Sequence, residues 1–232
     1  DLNTVIHDTE PSRVNDAVRA EFRRKAEKLV SAGACGFGEM SVLHIAMQEK
    51  HSYSEAPADH PLFLELADVA AAHDVPIDIH MEAVSAPMKT PPSLADVSHN
   101  PAELPATIPS FERLLKHNRK ARIVWQHIGW DNTGNMTPDL VRRLLSEHPN
   151  LYSALRVEEG NPRARPFRPN ALTDGKGKLT PGWRKLIDEF PDRFVIGSDE
   201  FVGIPGVTRN MPDSFELTWA VLDQLPPDLA RK

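Results

Sequence analysis

Cysteine is nearly absent: Cys35 is the single thiol in 232 residues. That excludes an internal disulfide framework and a thiolate-rich zinc site, and the apolar setting of Cys35 predicts a buried, inert side chain. No apolar run approaches the roughly 18 residues that a membrane helix needs, so no membrane partner is expected. Basic clusters are also lacking. Lys and Arg number 27 against 33 Asp and Glu, a formal net charge of -6, and nucleic acid is not an expected partner. The densest basic stretch, Arg163 to Arg168, alternates with Pro and reads as a solvated loop. No signal peptide is visible, and the first residue is Asp1. The cytoplasm is the first-choice compartment, a periplasmic or secreted place the alternative.

What is present is ordinary soluble-protein composition, 40% hydrophobic and 26% charged, in a chain long enough for one domain over 1–232. Short apolar strands alternate with amphipathic helices. Asn15 to Ala32 has helical spacing, with Val18, Phe22, Ala26, Leu29 and Val30 on one side. Ala34 to Met40 reads as a strand ending in Gly-Glu. Pro61 to His73 is a helix with Pro in its first turn, and Pro76 to Met81 a strand. Ser110 to His117 is helical, Arg122 to His127 a strand. Thr137 is an N-cap with Pro138 behind it, starting a helix to about Glu147. Leu151 to Val157 is strand-like, Pro181 to Phe190 helical, Arg193 to Ser198 a strand, and Asp213 to Leu225 a last helix.

Strands alternating with helices predict a parallel sheet. The Pro-rich stretches 85–109 and 161–181 each lie between a strand and its helix, where an α/β barrel keeps its active site. The polar residues at the strand ends are Glu39, His80, His127 and Asp199, about one βα unit apart for each strand. In a parallel barrel these ends meet on one face. Two imidazoles and two carboxylates converging there form a ligand set for Zn²⁺ or another divalent metal. A lone strand-end His is more often structural, and a lone Asp commonly caps the next helix; four together carry the argument.

The order Glu, His, His, Asp on four strands resembles the amidohydrolase superfamily. Pro-Asp-Arg-Phe-Val-Ile-Gly-Ser-Asp over 191–199 is similar to the strand-8 signature of its amidohydrolase-2 branch, and Gly36 to Glu39, Ile77 to His80 and Val124 to His127 resemble strands 4, 5 and 6. The resemblance implies a (β/α)8 TIM barrel of which this chain represents strands 4–8. It also implies a divalent metal, one or two ions and Zn²⁺ foremost, held by Glu39, His80, His127 and Asp199. The family's His-x-His pair on strand 1 has no counterpart here. Strands 1 to 3 are therefore expected to precede residue 1, Asp1 to Thr9 being a loop after strand 3.

Hydrolysis of an amide, ester or lactone bond in a small organic substrate is the expected reaction. Asp199 is expected to move the proton of the attacking water, and His127 or His80 to stabilise the oxyanion. Non-oxidative decarboxylation by the same branch is the alternative, and a non-catalytic ligand-binding remnant a further one. Arg156 is the expected partner of a substrate carboxylate, with a surface salt bridge as the plainer role. Trp130 and Asp131 are expected to line the pocket, and Glu82 to project above the barrel rim. Trp125 is expected to fill the core. His51, His60, His73, His99, His117 and His148 are expected at the surface. An incomplete sheet needs a cover, so a homo-oligomer is an expected assembly.

Overall fold

Local chemistry sets the first elements of the computed structural model, which describes residues 1–157, 168–174, 176–197, 199 and 216–231. Asp1 accepts a hydrogen bond from the Thr4 amide at 2.9 Å and starts helix α1, Leu2–Asp8. The expected loop there is thus a helix. It docks on the sheet because Asn3 accepts from the Ser41 amide at 2.9 Å and the ring Nε2 of His7 meets the Ser41 carbonyl at 2.8 Å. After a short 3₁₀ turn, Asn15 caps α2, Asp16–Ser31, through the Val18 amide. Phe22 and Ala26 of α2 are buried, but Leu29 is 45% exposed, so the apolar stripe stops a turn early.

Strand β1, Phe37–His44, is longer than its apolar run predicts, and the two-residue β2, Ser54–Glu55, pairs with it antiparallel. Helix α3, Pro61–His73, is capped by a histidine ring: His60 Nδ1 accepts from the Leu62 amide at 3.1 Å while Nε2 reaches the Thr9 carbonyl at 2.8 Å. Next come β3, Ile77–Met81, and an excursion containing β4, Met88–Lys89, α4, Pro92–Ala95, and β5, Glu103–Leu104. The excursion is tied to the end of β1 by Asn100, whose side chain pairs with both the amide and the carbonyl of Ala46. The remaining elements are α5, Ile108–His117; β6, Ile123–Ile128; α6, Pro138–Glu147; β7, Leu151–Leu155; α7, Pro181–Glu189; β8, Phe194–Ile196; α8, Glu216–Leu222; and α9, Pro227–Ala230. The first three residues of the expected last helix, 213–215, lie outside the described residues, as do most of the Arg163 to Arg168 stretch and Ser198.

The main sheet runs β2-β1-β3-β6-β7-β8, and its four pairings from β1 to β8 are parallel. The parallel strands lie in chain order without reversal. With crossovers of one hand, that order places every connecting helix on the same face of the sheet. Burial agrees: Ile77, Ile79, Ile123, Trp125 and Leu151 are fully buried, while alternate residues Asp78, His80, Val124, Gln126 and Tyr152 are partly open. Phe111 of α5 packs on Trp125 with ring centroids 5.5 Å apart, and Trp183, Leu186 and Ile187 of α7 join the same core. The chain is thus α/β with a mostly parallel six-stranded sheet, and one sheet face carries the polar residues.

Several expectations change. Cys35 is exposed, because it lies in the turn after α2 and not in the strand. His60 and His148 are buried, the first with its ring engaged in capping α3. Trp125 fills the core as expected, and its Nε1 donates to the Met81 carbonyl at 2.8 Å.

Candidate functional site

Three adjacent strands bring the site together. Glu39 comes from β1, His80 from β3 and His127 from β6. Gly38 permits the approach of β1 to β3: a Cβ there would lie 2.7 Å from the Asp78 Cβ. The Gly38–Glu39 peptide is cis. The Glu39 carboxylate then receives His80 Nδ1 at 2.6 Å and His127 Nε2 at 2.8 Å on one oxygen, Oε1. Glu39 is not at a strand end: β1 continues five residues beyond it. The two histidines do lie at or next to the last residue but one of their strands, and Asp199 three residues past β8.

The environment sets the charge states. Partial desolvation pushes the Glu39 carboxyl upward, but the hydrogen bonds from His127 and His80 outweigh it and hold the group well below the usual carboxylate range. Burial pushes His127 down from its ordinary value, against the pull of Glu39, which favours a neutral ring. An ionised carboxylate beside imidazole nitrogens, all within 4.8 Å of one another, is a donor set that fits a divalent transition-metal ion. His127 has φ 62° and Asp199 φ 52°, left-handed backbone uncommon for non-glycine residues and shared in this chain by Asp74 and Asn170.

Asp199 does not join the three-residue group. Its carboxylate pairs with the Arg156 guanidinium, so Arg156 already holds an acid of its own chain. Arg156 also stacks on Trp130, its Cζ 3.7 Å from the ring centroid. Trp130 follows His127 in a tight turn closed by a 2.9 Å bond from its amide to the His127 carbonyl. Asp131 is buried; its carboxylate accepts from the amides of Thr133 and Gly134 and from Asn170, and so organises the loop. Glu82 is likewise buried rather than raised above a rim. It accepts from Asn132 Nδ2 at 2.5 Å, and burial pushes its carboxyl upward.

The chain belongs to the amidohydrolase family. A family model described as amidohydrolase matches residues 12–232, nearly the whole sequence. No curated protein matches it. Membership supports metal-dependent hydrolase or related decarboxylase chemistry, and it gives the Glu39, His80 and His127 group the meaning of a candidate metal centre.

Two residues near the centre escaped sequence reasoning. His44 lies five residues after Glu39, which in a regular strand puts it on the opposite face. The register of β1 against β3 shifts between Ser41 and Leu43, and this bulge carries the His44 ring to 4.8 Å from His80. His44 Nδ1 contacts the Ser52 carbonyl at 2.7 Å, so that nitrogen carries the proton; burial, chiefly, pushes the ring down to about 4. Arg168 is the other. It is 9% exposed, not a solvated loop residue, and its guanidinium lies 3.6 Å from the Trp130 centroid.

A second cluster, Glu112, Glu147 and His148, also brings its polar atoms within 4.8 Å of one another. There Arg143 bridges both carboxylates and Lys116 lies 3.8 Å from Glu112, so cations of the chain already neutralise it.

Proposed function

We propose that the chain is a metal-dependent hydrolase acting on an amide, ester or lactone bond of a small organic substrate. The observation that carries this reading is the convergence of His80 Nδ1 and His127 Nε2 on one oxygen of Glu39. We read the five parallel strands β1, β3, β6, β7 and β8 as strands 4–8 of a (β/α)8 barrel, their C-terminal ends forming the active face. Glu39, His80 and His127 would hold the ion, Zn²⁺ foremost, with Asp199 completing the set. A divalent ion held there supplies Lewis acidity and a water acidified toward neutral pH.

The remaining work falls to the side chains. Asp199 takes a proton from the attacking water on its carboxylate and returns it to the leaving group. Arg156 orients that carboxylate through their ion pair. Whichever of His127 and His80 is not a ligand of the ion stabilises the oxyanion by donating its ring N–H. Trp130 and Glu82 shape the wall on the substrate side. Decarboxylation of a carboxylated substrate is the second reading, favoured by the Arg156 guanidinium at the site.

The test is metal analysis joined to assay. Purified protein is expected to carry stoichiometric divalent metal, lost in the His80→Ala, His127→Ala double variant with folding retained. Acid formation from esters, lactones and amides supports hydrolysis, and carbon dioxide release from a carboxylated aromatic supports the second reading. Protein that binds no metal, even when supplied with Zn²⁺, rules out both.

A further inference from the structure

We infer that Asn3 and His7 of α1 are positioning residues for the candidate centre: they stand in for a neighbouring strand and fix the stretch of β1 that carries Glu39. Their role rests on the reading of Glu39, His80 and His127 as a metal centre, and it adds the two side chains that set where Glu39 stands.

The pairing of β1 with β3 is interrupted on both sides of one short stretch. Phe37 faces Ile77 before the register shifts, Met40 and Ser41 face Ile79 and His80, and the register shifts again before Leu43 meets Met81. Such irregularities disrupt the ladder locally. Glu39 falls inside the first of them, so its place against His80 and His127 depends on how Met40 and Ser41 are held. A continuous ladder does not hold them. Both polar groups of the Ser41 backbone are directed to α1 instead. The amide donates to Asn3 Oδ1 at 2.9 Å, and the carbonyl accepts from His7 Nε2 at 2.8 Å.

An antiparallel partner strand gives one acceptor and one donor to the same residue. Asn3 and His7 supply that pair because residues four apart share one face of a helix. A carbonyl only accepts, so His7 Nε2 carries the proton, and Asn3 presents its amide oxygen. Helix α1 is itself anchored. Leu2 and Ile6 are buried, Thr9 Oγ1 donates to the Val5 carbonyl at 2.6 Å, and the Thr9 carbonyl meets His60 Nε2 at 2.8 Å. The same edge continues into β2. Ser41 Oγ pairs with Ser54 Oγ at 2.9 Å, and the Ala56 amide donates to the Val42 carbonyl at 2.8 Å. The outer edge of β1 is thus covered by α1 at Ser41 and by the β2 segment from Val42 onward.

The full chain is titrated with Zn²⁺ against a chelator of known affinity, and the ring nitrogens of His80 and His127 are followed by NMR in metal-free protein. His7→Leu and Asn3→Leu are each expected to weaken Zn²⁺ binding by roughly tenfold, the low end of the loss typical for outer partners of a ligand. Both are expected to move the ring-nitrogen signals toward those of Glu39→Gln. His7→Gln, whose amide donates to the Ser41 carbonyl, and Asn3→Asp, which keeps an acceptor, are expected to match wild type in both measurements. A purely structural role for α1 would lower the urea midpoint of the leucine variants without moving the ring-nitrogen signals, and that result overturns the inference. An equal change in His7→Gln and His7→Leu overturns it as well. If neither leucine variant folds, His7→Gln decides alone: a wild-type spectrum sustains the inference and a shifted one overturns it. A wild-type chain that binds no Zn²⁺ ends the metal reading, while the metal-free spectra still decide the positioning role.

Discussion

At the scale of single residues, the charge on Glu39 is the quantity that matters most. One carboxylate oxygen meets two imidazoles, so Glu39→Gln removes the carboxylate charge of the three-residue group while keeping its shape. Metal affinity is expected to fall by about 100-fold or more, beyond the loss typical of outer partners of a ligand. Competition against a chelator of known affinity measures it, and an unchanged affinity would place the ion elsewhere. Asp199→Asn is expected to lower turnover per bound metal ion by roughly 10² to 10⁴, the range of general acid–base catalysis. A variant as active as wild type would remove Asp199 from proton transfer. His80, His127 and Glu39 were legible because each is a polar residue on an otherwise apolar strand. His44 and Arg168 were not. A bulge overturns the alternation by which His44 would be placed, and the burial of Arg168 depends on an indole 38 positions away in the chain.

At the scale of elements, helix limits followed from capping chemistry and strand limits did not. Asn15, Thr137 and the Pro residues at first turns sit where their side chains satisfy or lack an amide. Strand β1 extends past its apolar run because its length is set by pairing to β3 and β2. Gly129→Ala tests how tightly the loop after β6 is held. The positive φ and the contact with Leu172 are expected to cost about 1–3 kcal/mol in urea unfolding. A smaller loss would mean that segment 168–172 yields readily, and Arg168 with it. Trp125→Ala, which empties the centre of the helix-covered face, is expected to cost about 3–5 kcal/mol.

At the scale of the whole molecule, acid sensitivity has a source apart from the candidate centre. His148 is fully buried, neither ring nitrogen has a hydrogen-bond partner among the described residues, and burial pushes its ring below the ordinary value. The unfolded chain therefore binds a proton there more readily than the folded one. Stability from this group is present above the ordinary histidine value of about 6.5 and declines as pH falls below it toward the lowered folded value. His148→Leu is accordingly expected to gain stability relative to wild type at pH 5 compared with pH 7.5, measured by urea midpoints at both. An equal difference at the two pH values would show that the ring is not neutral when buried. The sequence by itself determined the alternation of strands and helices, the family, and the polar residues placed on the strands, because periodicity, capping and local motifs are properties of neighbouring residues. Only the tertiary structure decided that two imidazoles share one oxygen of Glu39, that Asp199 pairs with Arg156, and that Trp130 lies between two guanidiniums. Those contacts join residues from separate strands and loops, and their geometry is set by register, bulges and packing, which no local pattern encodes.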